Sequence, residues 1–120
     1  IPCLGTTHAD HFHGAVPLSR VLSPDEVEAD YERCTGQVIV ERFAELDYRA
    51  MPAVLVAGHG PFTWGSDAYE SLHNAVALEA VAQIAYGTWQ LHSEAPLLES
   101  YVLQKHYQRT HGPQAYYGQE

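Results

Sequence analysis

The sequence predicts a mixed α/β chain in which four helices accompany one buried strand. Three observations carry that expectation. Ser23-Pro24-Asp25-Glu26 reads as a helix start. Pro52-Ala53-Val54-Leu55-Val56-Ala57 is a short apolar run closed by Gly58-His59-Gly60-Pro61, and a long helical pattern follows Ser66-Asp67. A short apolar run bounded by turn residues is what a buried strand looks like in sequence.

Residues 1–22 mix Thr, His, Gly and Pro with short apolar patches and read as loop and short strand, with Ala15-Val16-Pro17-Leu18 at a sheet edge or turn. In the first helix Ser23 is the cap, Pro24 the first helical residue and Glu26 the partner in a capping box. Asp25 and Glu26 also suit the positive end of the helix dipole. This helix is expected to reach about Arg33, with Thr35-Gly36 breaking it before a second helix over Gln37–Leu46, where Val38-Ile39-Val40 also has strand character. The longest helix is expected to run from Ser66-Asp67 to about His92, burying Leu72, Val76, Ala80 and Ile84. Glu94-Ala95-Pro96 ends it, a last helix covers Leu97 to about Arg109, and the tail is irregular. A lone strand leaves both edges unpaired, so the rest of the sheet is expected from elsewhere.

Composition narrows the partners. Hydrophobic residues make up 46%, enough for a core, while charged residues reach only 18%, which suggests surface buried against another chain or segment. The net charge of -9, with no Lys/Arg run, disfavours nucleic acid and anionic membrane surfaces. Cys3 and Cys34 lack CxxC spacing, so a reducing, cytoplasmic setting is expected. No apolar run approaches the roughly 20 residues of a membrane span, and no signal peptide is visible. The opening Ile1-Pro2, without an initiator Met, suggests a piece of something longer.

Several residues are candidates for chemistry. His59 follows a buried strand, where α/β proteins place ligands, and its flanking glycines leave the imidazole unobstructed. It is either a zinc ligand or a turn histidine bonded to backbone; one histidine alone does not hold zinc. His8, Asp10, His11 and His13 form a tempting metal cluster, yet in an extended segment they alternate faces and do not converge. Asp10 is a candidate acid/base group if its pKa is raised, or else an Asp serving a turn. Tyr117, in Tyr116-Tyr117-Gly118-Gln119, is a candidate acid/base group or a packing residue. His106 and Arg109, three residues apart, either line an anion site or serve as cations at a helix C-terminus. Glu32 is a positioning carboxylate or a solvated charge, and Cys34 has no neighbouring base to make it a nucleophile.

Taken together, the stretches Gly5-Thr6-Thr7-His8-Ala9-Asp10, Val54-Leu55-Val56, His59-Gly60-Pro61-Phe62, Trp64-Gly65, His73-Asn74-Ala75, Lys105-His106-Tyr107 and Ala115-Tyr116-Tyr117-Gly118-Gln119 resemble the L-ribulose-5-phosphate 4-epimerases of bacterial arabinose metabolism, of the class II aldolase type. The resemblance implies that residues 1–120 are the C-terminal half of a single three-layer α/β/α class II aldolase-like domain. It also implies a C4-symmetric homotetramer with active sites between subunits. The implied reaction interconverts L-ribulose 5-phosphate and D-xylulose 5-phosphate through retro-aldol cleavage, with Zn2+ or another divalent metal as Lewis acid.

By position in the family's motifs, His59 corresponds to a zinc histidine, Asp10 and Tyr117 to the two acid/base groups, and Thr6, Glu32, His106 and Arg109 to the supporting shell. The family's other zinc histidines and its phosphate loops would lie upstream of Ile1. His11 and His13 stand where relatives tend to have aromatic residues, and Gly58 where Ser or Asn is usual. The alternatives are a non-catalytic half-domain or adducin-like structural module, and a class II sugar-phosphate aldolase.

Overall fold

The computed structural model describes residues 1–118, which form two compact units. One contains Ile1–Val16 and the described residues from Val76 onward; the other is Pro17–Ala75. The elements in chain order are α1 (Thr6–His11), α2 (Pro24–Arg42), β1 (Ala53–Val56), β2 (Gly60–Thr63), α3 (Ala68–Leu91) and α4 (Ser100–His111).

In the Pro17–Ala75 unit, α2 begins where its sequence signals place it. The Ser23 hydroxyl accepts from the Glu26 N–H at 3.3 Å, and the Glu26 carboxylate accepts from the Ser23 N–H at 2.8 Å. Arg20 braces this end from outside, donating to Glu26 and to Glu41. The interruption lies at Asp30 (φ -165°, ψ 82°) rather than at Thr35-Gly36. Asp30 caps the following stretch, accepting from the Arg33 N–H at 3.3 Å, as an N-cap residue does three positions on. Thr35 is carried within the helix because its hydroxyl donates to the Tyr31 carbonyl at 2.8 Å. Val38-Ile39-Val40 is helical.

The apolar run forms β1, but it is not a lone strand. It pairs antiparallel with β2 in the register Ala53↔Thr63 to Val56↔Gly60. Its other edge meets the segment around Leu18: the Leu55 N–H donates to Pro17, and the Ser19 N–H donates to Leu55, each at 2.9 Å. Since both polar groups of Leu55 turn away from β2, its partner Pro61 has no donor to supply, which makes proline tolerable there. Gly58, with φ 76°, lets the chain reverse between the strands. The core of this unit holds Val38, Met51, Ala53, Val54 and Val56.

In the other unit, α1 replaces the expected loop. Its hydrogen-bonding side chains at the cap are absent; tertiary burial holds it instead. Ala9 and Phe12 are 0% exposed, and α1 packs on α4. The long helix α3, whose residues up to Ala75 belong to the Pro17–Ala75 unit, has the expected bounds, with Asp67 accepting from the Glu70 N–H at 2.8 Å. The expected burial on it is overturned: Leu72, Val76, Ala80 and Ile84 are exposed, and Ala77, Leu78, Val81 and Ala85 are the buried row. Both rows are apolar, so periodicity alone did not distinguish them. No described helix is long and apolar enough to cross a membrane.

Candidate active-site residues

Asp10 lies in the last turn of α1 and faces α4, which presents His106, Arg109 and Thr110 on one side through their i, i+3, i+4 spacing. Arg109 grips the carboxylate with a two-pronged fork, Nε donating to Oδ1 at 3.0 Å and Nη2 to Oδ2 at 2.9 Å. His106 Nδ1 lies 3.0 Å from Oδ1 and donates, because a carboxylate only accepts. The Thr110 hydroxyl reaches Oδ1 at 3.4 Å. His111 secures the backbone of the same residue, its Nε2 donating to the Asp10 carbonyl at 2.8 Å.

The Asp10, His106 and Arg109 side chains are 15–21% exposed, so the pair is partly withdrawn from water. Burial alone would push the Asp10 carboxyl upward. The hydrogen bonds and positive charge of Arg109, helped by His106, outweigh it and hold the group below its ordinary value. The raised pKa that an acid/base reading of Asp10 called for is therefore not what this arrangement produces.

Tyr117 joins the same group. The Tyr116 and Tyr117 N–H groups donate to the Arg109 carbonyl at 2.9 and 3.1 Å, folding the tail back over α4. The Arg109 guanidinium then sits 4.0 Å from the centre of the Tyr117 ring. Four of the residues singled out from sequence, Asp10, His106, Arg109 and Tyr117, thus meet around one guanidinium. Thr6 is exposed, one turn before Asp10 on α1.

Sequence reading missed Thr110 and His111. Thr110 extends the 106/109 face by one residue, a signal that was available; His111 acts on backbone and leaves no pattern.

The His8–His13 cluster disperses, though not by strand alternation: His8, Asp10 and His11 are on α1 and His13 lies past its end. His8 is buried with Nε2 bonded to the Gly14 carbonyl at 2.8 Å, while His13 pairs with Gln104 and packs its ring 4.6 Å from Tyr107. Burial pushes the His8 imidazole below its ordinary value, against the opposing effect of the Gly14 bond. Cys34 is buried and unbridged.

His59 and Glu32 belong to the Pro17–Ala75 unit. His59 is exposed in the turn between β1 and β2, with its ring 5.1 Å from Phe62 and 6.4 Å from Tyr31. Glu32 is exposed beside Tyr31 on α2. Among the described residues no three His, Cys, Asp or Glu side chains are grouped to hold a metal ion, so this chain's described residues do not by themselves fit a zinc site.

The protein named L-ribulose-5-phosphate 4-epimerase UlaF of Salmonella paratyphi B (strain ATCC BAA-1250 / SPB7) is 46% identical over 120 residues, covering 100% of this chain and 53% of that protein. The proteins of the same name from Salmonella paratyphi C (strain RKS4594) and Salmonella typhi match at the same identity and coverage. The chain spans about half the length of the curated relatives it matches. The profile of the Class II Aldolase and Adducin N-terminal domain matches residues 1–86, from the segment that carries Asp10 through β1, the His59 turn and most of α3. With most of its length matched in this way, the chain belongs to the class II aldolase and adducin family.

Proposed function

We propose that this chain is the C-terminal half of an L-ribulose-5-phosphate 4-epimerase, interconverting L-ribulose 5-phosphate and D-xylulose 5-phosphate by retro-aldol cleavage and re-addition. The observation that carries the reading is the convergence of Asp10 and Tyr117 on Arg109. The names of the relatives at 46% identity support it. The reading includes a three-layer α/β/α domain, a homotetramer with active sites between subunits, and a cytoplasmic location in L-arabinose catabolism.

In this reading Asp10, kept ionised by the fork, accepts a hydroxyl proton at a carboxylate oxygen. Tyr117 handles the proton on the other face of the turned aldehyde, through its phenolic oxygen. His106 and Arg109 hold Asp10, and Arg109 also seats the Tyr117 ring. Thr6 and Glu32 are supporting residues. Of this chain's described residues only His59 would hold the Zn2+ or other divalent metal of this reading, which would supply Lewis-acid stabilisation of the enediolate; its other ligands would have to come from outside these residues.

The test is an assay of the chain with L-ribulose 5-phosphate and zinc, alone and with the portion of the Salmonella protein lying outside the match. D-xylulose 5-phosphate is expected only with both pieces. Asp10→Asn and Tyr117→Phe should each lower turnover by about 100-fold or more, the scale of a lost general acid/base group. Release of glycolaldehyde phosphate without epimer would mean an aldolase. A zinc-loaded complex with neither product would mean a non-catalytic module.

A further inference from the structure

Helix α1 ends one residue past Asp10. The chain leaves helical geometry at Phe12 (φ -131°, ψ 132°), whose side chain is fully buried. In a continuing helix the Gly14 N–H would serve the Asp10 carbonyl, four residues back. Here that N–H donates instead to the Phe12 carbonyl at 2.9 Å, in a turn that Gly14 makes with φ 110°. A helix end leaves such carbonyls to find donors elsewhere. For Asp10 the donor comes from α4: His111 Nε2 lies 2.8 Å from the carbonyl oxygen and must carry the proton, since a carbonyl only accepts. A histidine in the last turn of a helix can serve its own helix's final carbonyls. In α4 those are already taken, Gln108 by the Gly112 N–H and Arg109 by the Tyr116 and Tyr117 N–H groups.

The imidazole is also held in plane. Its ring stacks on Tyr107, one turn back, with centres 4.6 Å apart and planes 26° apart. Tyr107 in turn lies 4.6 Å from the ring of His13, just past the end of α1. We infer that His111 is a positioning residue for the reaction proposed above: by holding the Asp10 carbonyl it fixes the end of α1, and with it the place at which Asp10 presents its carboxylate to substrate. The inference rests on the reading of Asp10 as an acid/base group. Arg109, His106 and Thr110 hold the far end of that side chain, while His111 holds its root. Without the second hold the peptide after Asp10 is free to turn, and the carboxylate pivots with it. A displacement of about 1 Å in a reacting group costs about 100-fold in rate.

The test has two arms. One follows the Asp10 carboxyl by 13C NMR in this chain carrying labelled aspartate; the other follows turnover of the chain paired with the portion of the Salmonella paratyphi B protein outside the match. His111→Phe keeps a ring for Tyr107 and removes the donor. It is expected to raise the midpoint of the Asp10 titration towards the ordinary 3.8. It should also lower kcat by about tenfold or more, with KM changed by less than about twofold. His111→Gln returns an N–H at a similar reach and should recover most of both. A His111→Phe protein with either the Asp10 titration or kcat as in wild type, whatever its melting temperature, overturns the inference. So does His111→Gln faring no better than His111→Phe, or a wild-type chain in which Asp10 titrates at its ordinary value. A wild-type pair with no turnover removes the epimerase reading, and the titration arm then decides on His111 by itself: a midpoint raised by His111→Phe and restored by His111→Gln upholds its hold on Asp10, and an unmoved midpoint overturns it.

Discussion

Replacing Asp10 by Asn keeps the side chain's shape and removes its charge, which makes it the sharpest probe of the α1–α4 contact. The carboxylate accepts two bonds from Arg109, one from His106 and a longer one from Thr110. Exposed ion pairs are worth about 0–1 kcal/mol, and breaking a buried one costs about 3–5 kcal/mol. At 15–21% exposure this group falls between them, so Asp10→Asn is expected to cost about 2–3 kcal/mol. For a chain of this size that is a fall of roughly 8–12 °C in melting temperature. Urea denaturation at pH 7 measures it directly. The pH dependence supplies an independent check. Asp10 is held below its ordinary value of 3.8, so its stabilisation is present above that pH and is lost as pH falls through the folded-state pKa. The wild-type chain should weaken below about pH 4 more steeply than Asp10→Asn. His8, lowered from 6.5, acts in a separate window: its stabilisation is present above pH 6.5 and declines below it in both proteins. A variant within about 0.5 kcal/mol of wild type at pH 7, or an unchanged acid limb, would refute the account of Asp10 as a clamp between the helices.

Ser23→Ala removes one side of the capping box and should cost about 1 kcal/mol in chemical denaturation. Phe12→Ala empties a site that is 0% exposed and should cost about 3–5 kcal/mol, enough to undock α1. Arg109→Lys keeps the charge but loses the planar fork; about 1–2 kcal/mol of stability should go with it. In the same variant the ring-current shift between residue 109 and the Tyr117 ring, read by NMR, should disappear.

What was legible in sequence was written in adjacent residues. The start of α2 rests on Ser23, Pro24 and Glu26, and the ends of α3 on Asp67 and on the Glu94-Ala95-Pro96 break; each acts through bonds a few residues long. Asp30 and Arg33 follow the same local rule, but Gly36 is the more conspicuous breaker in sequence and draws the expected interruption six residues too far along. By contrast α1 has two threonines at its start and no capping side chain, and exists because Ala9 and Phe12 are buried. β2 begins with Gly60-Pro61, residues that argue against a strand, and is tolerated because Leu55 turns its polar groups to Pro17 and Ser19. The candidate site divides likewise. The pairing of His106 with Arg109 was visible as spacing on one helix. Their partner Asp10 lies more than ninety residues away, and nothing in composition links the two.

The clamp also constrains what Asp10 can do. A proton acceptor works best with its pKa near the working pH, and the Arg109 fork moves Asp10 away from that condition. The fork also divides the two oxygens unequally. Oδ1 takes bonds from His106, Arg109 Nε and Thr110, while Oδ2 takes one from Arg109 Nη2. A carboxylate offers about four lone-pair positions, so Oδ2 retains the position a substrate hydroxyl would use. In the proposed reaction Oδ2 is therefore the accepting atom, and His106 and Thr110 orient the carboxylate by occupying its other oxygen. Tyr117 is seated on the face of the guanidinium whose edge holds Oδ2. One arginine then holds both of the proposed acid/base groups, and loosening it would trade a stronger base at Asp10 for the loss of position at both.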